Sequence, residues 1–307
     1  MSTRMSTITS VTVDVPAKTN LTLHVGVPHA EWGGRHALDT IYCGVGVYDT
    51  VTLTRKTPGS GFSLNLAGGH LGDLAATGSD MRRNHAVLAL FALAEASGHA
   101  PDVAIRLDKR IPVAAGLGGG SADAAGTLLG LNALWNLNWP IDRLRTIAAT
   151  LGADMPFCLT GGYAHGTGFG EQIEPIKPGS QAAHDLREAG YCGRVLIGAY
   201  HDALSTPAVY AEYDRIGAGV RGDGTVDDNH LQYAAISLHP RSGDAIEQAR
   251  SAGARQAFVS GSGPSVIAFV SDDVTAARVR DAWTQSRCVD RIISADAPAI
   301  PRVSESR

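Results

Sequence analysis

One glycine-rich stretch, residues 112–125, constrains the fold and chemistry of this chain more than any other. It reads Pro-Val-Ala-Ala-Gly-Leu-Gly-Gly-Gly-Ser-Ala-Asp-Ala-Ala, so four glycines fall within five positions and a helix-forming run follows at once. Glycine permits backbone conformations that other residues avoid and lets a ligand approach the main chain. A helix that begins near Ser121 would direct unpaired backbone N–H groups at this loop. A tight turn capped by serine needs only one or two glycines, so the pattern favours a phosphate-binding site.

Two common phosphate motifs are excluded at this loop. The Walker motif needs Lys-Ser or Lys-Thr after its last glycine, whereas Gly120 is followed by Ser121 and Ala122. The dinucleotide motif needs its third glycine where Ser121 stands. A formal G-x-G-x-x-G match does occur elsewhere, at Gly217, Gly219 and Gly222. Because a helix-like segment precedes that match, the strand-loop-helix context is missing and we do not predict a nucleotide site there.

The composition is that of a globular protein with one large domain or two ordinary ones. The chain has 307 residues, of which 44% are hydrophobic and 18% charged. The net charge is −4 and no cluster of Lys and Arg appears, so a nucleic-acid partner is not expected. An anionic small-molecule substrate would instead meet a few placed cations and backbone amides.

Sequence signals for membranes and for secretion are missing. The N-terminal ten residues are polar, and the longest apolar run, Ala86 to Ala94, is far shorter than a membrane span. The four cysteines are far apart and lack zinc-site or disulfide spacing. We therefore expect a cytoplasmic protein with reduced thiols and no membrane partner, while the oligomeric state is not indicated.

Hydrophobic periodicity predicts alternating strands and helices. Strands are predicted near 11–15, 21–27, 41–55 and 103–107, and helices over 81–97, from about residue 121, and over 141–151. Gly and Pro concentrate between residues 161 and 180, which places a boundary between domains at 1–165 and 166–307. The second part is predicted to hold strands at 195–200, 256–260, 265–270 and 289–293 and helices at 207–216, 228–238, 243–252 and 273–286. Loops are expected over 56–80 and in the tail from Asp296.

Three further positions have both a functional and a structural interpretation. Lys18 follows the bend at Pro16 and is either a solvated charge or an inward cation of the kind that phosphoryl transfer needs. Asp154 follows a helix end at Gly152 and either caps the next turn or acts as a general base. The segment 261–263 is either a hairpin turn or a second glycine loop that closes on phosphates.

Together these segments resemble the GHMP small-molecule kinases. That family is defined by a Pro-x-x-x-Gly-Leu-Gly-x-x-Ser-Ala loop, which residues 112–122 match at every specified position. The resemblance extends from about residue 11 to residue 293. The other segments that carry it are 16–21, 34–38, 151–157, 229–235 and 259–264.

The resemblance implies a fold class and an activity. It implies an α+β protein of two domains, with a ribosomal-S5-domain-2-like N-terminal domain, a ferredoxin-like C-terminal domain and the active site between them. It also implies the cofactors ATP and Mg²⁺, and transfer of the γ-phosphate to the 2-hydroxyl of a diphosphocytidyl-methylerythritol. A mevalonate-type or sugar alcohol as acceptor, and a non-catalytic nucleotide-binding protein, stay open as alternatives.

The resemblance also implies residue roles. Asp154 becomes the catalytic base, Lys18 its charged partner, and Asn20 and His36 substrate contacts, with His36 at the cytosine. Substrate contacts are also expected from Gly261, Ser262 and Gly263. The ATP phosphate loop comprises Pro112, Val113, Ala114, Ala115, Gly116, Leu117, Gly118, Gly119, Gly120, Ser121 and Ala122. The sequence does not indicate the Mg²⁺ ligands, although the Ser121 hydroxyl is a possible donor.

Two positions depart from the family pattern. Arg35 stands before His36 where the family usually has a tyrosine that holds the cytosine ring. An arginine can stack on a base through its guanidinium plane, and Trp32 is close in sequence. Thr19 replaces the usual aliphatic residue after Lys18. The substrate preference therefore depends on what Arg35 contacts.

Overall fold

A long irregular hairpin organises the first half of the chain. In the computed structural model, which describes residues 8–69, 81–219 and 226–306, strands β1 (Ser10–His29) and β2 (Arg35–Arg55) pair antiparallel. Their register shifts between Pro16 and Ala17 and again between Asn20 and Thr22. Around these shifts every residue from 15 to 21 is buried, so the usual alternation of buried and exposed side chains is lost. The two strands predicted over 11–27 are thus one strand, whose irregular centre holds Lys18.

The first sheet continues outward from this hairpin. Strand β3 (Ser63–Gly68) runs parallel to β4 (Val103–Lys109), and β4 pairs with the second half of β2. Strands β5 (Tyr163–Thr167) and β6 (Gln172–Ile176) extend from the first half of β2. The prediction of a loop over 56–80 is wrong at β3, because that segment forms a strand paired with β4. Residues 70–80 of the predicted loop lie outside the described part of the chain.

Within the described residues, four α-helices accompany this sheet. They are α1 (His85–Ser97), α2 (Gly119–Leu134), α3 (Ile141–Leu151) and the short α4 (Met155–Cys158). Helix α2 lies directly on β1 and β2, because a Cβ on Gly126 would come within 2.7 Å of Val15 and Val51. Leu128, Leu131 and Leu134 of this helix are buried, and so is Trp135 at its C-cap.

The second sheet confirms the ferredoxin-like expectation. Its strands are β7 (Gly193–Ala199), β8 (Gln256–Val259), β9 (Val266–Phe269) and β10 (Arg291–Ala297), in the order β10-β7-β9-β8. Helices α6 (Thr206–Ile216), α7 (Gln232–Leu238) and α8 (Pro240–Ser251) lie between β7 and β8 in the chain, and α9 (Asp273–Ser286) lies between β9 and β10. All neighbours in this sheet are antiparallel. This is the β-α-β-β-α-β arrangement, with extra helices in the first crossover.

The chain passes from the first sheet to the second and then returns to the first. Helix α5 (Gln181–Glu188) precedes β7, and the chain finally returns as β11 (Arg302–Ser306), which pairs with β1. The prediction of a loose tail from residue 296 is therefore wrong, because its backbone completes the first sheet. The predicted division at residues 165 and 166 falls within β5 and stays a prediction.

The four cysteines are unpaired thiols, as predicted. Across the ranges that the structure describes, every helix is too short or too polar to cross a lipid bilayer.

Candidate active site

A cleft of about 1010 Å³ lies where the two glycine loops meet. Most of the predicted site residues line it: Lys18, Asn20, His36, Pro112, Ala114, Ala115, Gly116, Gly118, Gly119, Gly120, Ser121, Asp154, Gly261 and Ser262. Val113 lines a smaller cavity of about 250 Å³. Leu117, Ala122 and Gly263 are not among the lining residues, and the first two are buried in the hydrophobic core. The structure thus brings residues from distant segments to one surface.

The first glycine loop leads into the start of a helix, which lines the cleft. Helix α2 begins at Gly119, two residues before the predicted start, and Gly118 stands at its N-cap with φ +69°. The N-cap has no side-chain hydrogen bond, so Ser121 lies within the first turn and is not the cap. The N–H groups of a first helical turn have no partners within the helix. The loop therefore offers backbone donors and the positive end of a helix dipole to an anion.

Lys18 lies across this loop. Its backbone N–H donates to the Leu117 carbonyl at 2.9 Å, and a Cβ on Gly118 would come within 2.7 Å of the lysine Cγ. A side chain at position 118 would thus displace the lysine, which is a second reason for glycine beside the positive φ. The Lys18 ammonium is buried, donates to Asn20 Oδ1 at 2.9 Å and lies 3.1 Å from Asp154 Oδ2. The predicted cation and the predicted base form an ion pair.

Asp154 is held by two side chains rather than by a helix cap. It occupies the N-cap position of α4, yet its side chain makes no capping bond. Its Oδ2 meets Lys18, and its Oδ1 accepts a hydrogen bond from Tyr42 Oη at 3.0 Å. Burial and the Asp154 charge hold the pKa of Tyr42 well above its usual range, so the phenol stays a donor. Tyr42 also stacks on Phe157, with ring centroids 4.9 Å apart.

Sequence reasoning missed Tyr42. The tyrosine lies on β2, more than a hundred residues before Asp154 at the start of α4, so only the tertiary structure brings the two together. No local motif around Tyr42 indicates a role in the site.

Asn20 orients the lysine from the same strand. Its Nδ2 donates to Thr40 Oγ1 at 2.8 Å, which leaves Oδ1 to accept from Lys18. The second glycine loop covers this pair, since a Cβ on Gly261 would come within 3.3 Å of the lysine Nζ. A side chain at position 261 would therefore crowd the ion pair.

The second glycine loop is anchored from two sides. Ser260 Oγ lies 2.9 Å from Thr19 Oγ1 and 3.1 Å from the Gly116 carbonyl, to either of which it donates. From the other side, Asn229 Nδ2 donates to the carbonyls of Val259 and Gly261 at 3.0 and 2.8 Å. The threonine that replaces the usual aliphatic residue at position 19 thus supports the second glycine loop, because an aliphatic side chain could not accept a hydrogen bond from the Ser260 hydroxyl.

A buried ionic cluster lies beneath the first glycine loop. Lys109 contacts the carboxylates of Asp49 and Asp123, the latter at 2.6 Å, and all three side chains are almost fully buried. Asp49 Oδ1 also accepts from the backbone N–H groups of Arg110 and Ile111, just before the loop. Burial raises the pKa of Asp123 to about 7. The cluster fixes both ends of the loop, because Asp123 belongs to α2 and Asp49 holds the entering chain.

The part of the cleft that His36 lines is aromatic. His36 Nε2 lies 2.9 Å from Asp214 Oδ1, and its ring stacks on Tyr210 at 5.1 Å. The Arg35 guanidinium lies 4.6 Å from the ring centroid of Phe169. Trp32 meets the same phenylalanine edge-on at 5.9 Å. The arginine that replaces the family tyrosine therefore joins an aromatic group at the edge of the cleft.

The described residues contain no cluster of three or more His, Cys, Asp or Glu side chains that could hold a metal ion by themselves. Mg²⁺ usually keeps several waters and takes one or two protein oxygens together with substrate phosphates. The Ser121 hydroxyl lines the cleft and is an oxygen donor of this kind. The site therefore fits a magnesium ion that a nucleotide brings with it.

Comparison with known proteins agrees with this geometry. The family model for the GHMP kinases N terminal domain matches residues 84–162, and the model for the GHMP kinases C terminal matches residues 214–290. A protein of Bifidobacterium adolescentis is 70% identical over 298 residues, which cover 97% of this chain and 95% of that protein. This chain belongs to the GHMP kinase family. The resemblance predicted from the loop motif is confirmed, and so is the two-domain α+β fold.

Individual GHMP kinases give a finer comparison. The Bifidobacterium adolescentis protein is named 4-diphosphocytidyl-2-C-methyl-D-erythritol kinase. A protein of Streptomyces avermitilis with the same name is 41% identical, and the match covers 87% of this chain and 90% of that protein. A crystal structure of 4-(cytidine 5'-diphospho)-2C-methyl-D-erythritol kinase superposes with a TM-score of 0.68 at 28% identity, covering 94% of this chain and 99% of that one. A mevalonate kinase of L. major, at 12% identity and a TM-score of 0.66, shares the fold.

Proposed function

We propose that this GHMP kinase transfers the γ-phosphate of ATP to the 2-hydroxyl of 4-diphosphocytidyl-2-C-methyl-D-erythritol. The observation that carries the proposal is the Lys18–Asp154 ion pair, 3.1 Å long, which lies in the cleft against the glycine loop. The names of relatives that are 64–70% identical over nearly the whole chain support the choice of acceptor.

Each part of the pair has a chemical task in this proposal. The acceptor hydroxyl attacks the γ-phosphorus, the bond from that phosphorus to the bridging oxygen of ADP breaks, and the hydroxyl proton passes to Asp154. Lys18 stabilises the negative charge that develops on the transferred group. Tyr42 and Lys18 each hold one carboxylate oxygen, so Asp154 approaches the hydroxyl in a restricted orientation. Phosphoryl transfer depends mainly on such positioning and on charge neutralisation.

The nucleotide phosphates are assigned to the loop 112–122. Its backbone N–H groups at the start of α2 suit the phosphates, and the smaller cavity adjoins the cleft at His85, Ala114, Gly119 and Gly120. Mg²⁺ bound with the nucleotide would neutralise phosphate charge, with the Ser121 hydroxyl as a protein oxygen that lines the cleft.

The diphosphocytidyl group is assigned to the part of the cleft that His36 lines. His36 is the predicted cytosine contact, and Asn20, Gly261 and Ser262 line the same cleft as Asp154. The guanidinium of Arg35 offers a planar cation beside His36, which suits stacking on a pyrimidine.

An ADP-release assay over a panel of alcohols tests the proposal. The panel contains the diphosphocytidyl compound, mevalonate, homoserine and a hexose, each with ATP and Mg²⁺, and phosphorus NMR of the product locates the new phosphate. We expect turnover with the diphosphocytidyl compound at far lower KM than with the others and a phosphate on the 2-hydroxyl. A preference for another alcohol would contradict the proposed acceptor. ATP binding without turnover of any alcohol would favour a non-catalytic nucleotide-binding protein.

A further inference from the structure

We infer that Asp214 is a positioning residue that fixes the tautomer of His36 and thereby makes the cleft select an aminopyrimidine over an oxopyrimidine. The inference rests on the proposed function, because it concerns the base of the proposed acceptor. It assigns a role to a residue that lies outside the glycine loops and the Lys18–Asp154 pair.

The His36 ring is held on several sides by one helix. Tyr210, Tyr213 and Asp214 all lie on α6, and residues four apart in a helix share a face. Tyr210 stacks on His36, Tyr213 meets it nearly perpendicularly at 6.2 Å, and Asp214 Oδ1 lies 2.9 Å from its Nε2. The Tyr213 hydroxyl also donates to the Val25 carbonyl at 3.2 Å, which ties α6 to β1. The imidazole therefore has one orientation.

The contact with Asp214 determines which nitrogen carries the hydrogen. An ionised carboxylate can only accept, so Nε2 of His36 must be the donor. In the neutral imidazole the hydrogen then resides on Nε2, and Nδ1 presents a lone pair. Because Nε2 is occupied by Asp214, Nδ1 is the ring nitrogen that remains for a ligand in the cleft.

A lone pair at Nδ1 distinguishes the two kinds of pyrimidine. Cytosine offers an amino group at C4, which donates to Nδ1, whereas uracil offers a carbonyl oxygen there. Uracil would set two acceptors against each other and leave both unpaired, which strongly disfavours its binding. Without Asp214 the imidazole could move its hydrogen to Nδ1 and accept uracil.

The chain contains a matched control for this pair. His165 Nε2 lies 3.2 Å from Asp39 Oδ1, and neither residue lines the cleft. Replacing Asp39 removes a His–Asp contact of the same kind between neighbouring strands without touching the cleft. Asp39→Leu thus controls for the general loss of a surface carboxylate.

The experiment compares the cytidyl substrate with its uridyl analogue at about pH 8. We expect the wild-type protein and Asp39→Leu to prefer the cytidyl compound strongly in kcat/KM. In Asp214→Leu that preference should fall by at least about tenfold, through KM, because one discriminating hydrogen bond is lost. The preference of Asp214→Asn should lie between those of the wild-type protein and Asp214→Leu, since an amide can either accept from Nε2 or donate to it. The KM for ATP should be the same in the wild-type protein and in the Asp214 variants.

Two further measurements separate positioning from simple support of the fold. In a His36→Ala background, Asp214→Leu should not change the preference further. Nitrogen-15 NMR of the wild-type imidazole at the same pH should report the hydrogen on Nε2, whereas Asp214→Leu should show a mixture of the Nε2–H and Nδ1–H tautomers. An unchanged preference in Asp214→Leu, or an equal KM increase for both compounds, would overturn the inference. Absence of turnover with both compounds would contradict the proposed function instead, and the NMR result would still decide the tautomer.

Discussion

Gly116 and Ser260 bind the two glycine loops into one surface. A Cβ atom on Gly116 would overlap the carbonyl oxygen of Ser260 and would come within 2.9 Å of the Gly263 nitrogen. In return, Ser260 Oγ lies 3.1 Å from the Gly116 carbonyl, although the two residues are 144 positions apart. The proposed phosphate loop is therefore completed by the second half of the chain.

This contact predicts a large effect of Gly116→Ala. Position 116 has φ +78°, which alone costs a non-glycine residue about 1 kcal/mol, and the new methyl would also push the loops apart. Gly59→Ala is the matched control, because Gly59 has φ +82° and nothing lies within 4 Å of its missing Cβ. In urea unfolding, Gly116→Ala should lose at least about 2 kcal/mol more than Gly59→Ala, and its KM for ATP should rise. Equal losses would show that the loops do not depend on this contact.

Asp154→Asn should abolish most turnover. The amide keeps the size of the side chain but cannot take a proton from the acceptor hydroxyl, so kcat should fall by about 10²–10⁴-fold. The dissociation constant of ATP, measured by calorimetry, should change little because the glycine loop is intact. Asp142→Asn, at an exposed carboxylate paired with Arg145, is the control and should keep wild-type kcat. Near-normal turnover in Asp154→Asn would refute the assignment of the base.

Tyr42→Phe should lower kcat without loosening the core. The phenyl ring preserves the stacking on Phe157, whereas the hydroxyl that donates to Asp154 is lost. A hydrogen bond to a charged group contributes about 1.5–3 kcal/mol, so kcat should fall by about ten- to a hundredfold, with an unchanged KM for ATP. Tyr233→Phe, at an exposed ring, should leave steady-state kinetics unaltered. If both variants behave alike, Tyr42 does not orient the carboxylate.

Asp123→Asn should change how stability depends on pH. Burial raises the pKa of Asp123 to about 7 in the folded protein, whereas an unfolded aspartate titrates near about 3.9. Between these values the folded state binds more protons than the unfolded state, so this carboxyl lowers stability progressively as the pH rises from about 4 to about 7. The isosteric amide can still accept from Lys109 and does not titrate.

The measurement is the free energy of urea unfolding of wild type and Asp123→Asn across that pH range and up to about pH 8. Relative to wild type, the variant should be more stable at about pH 8 than at about pH 4.5, by about 1–3 kcal/mol. The curve of stability against pH for Asp142→Asn should run parallel to that of wild type. Parallel curves for Asp123→Asn would mean that this carboxyl does not titrate between the two pH values.

Local features of the sequence predicted much of the fold. Helix α9 was expected at 273–286 and occupies those residues, because Asp272 caps it by accepting from the Thr275 N–H at 2.7 Å. Helix α3 likewise matches its predicted range, with Gly152 at its C-cap. The glycine pattern at 116–120 indicated a phosphate site because the backbone conformation it requires is encoded within a few residues. These signals depend on neighbours along the chain, so they can be read from the sequence.

The assembly of the site was decided by tertiary structure. Lys18 and Asp154 could be singled out as candidates, but their 3.1 Å contact depends on the register shifts of β1 and on the packing of α4. No local sequence pattern indicated Tyr42 or Asp214 as site residues, since each contacts its partner across more than a hundred residues of sequence. The sequence alone determined which backbone conformations and charges were available. Only the pairing of distant strands and the docking of α6 decided which side chains meet, because contacts at such separations follow from packing of the whole chain rather than from local propensity.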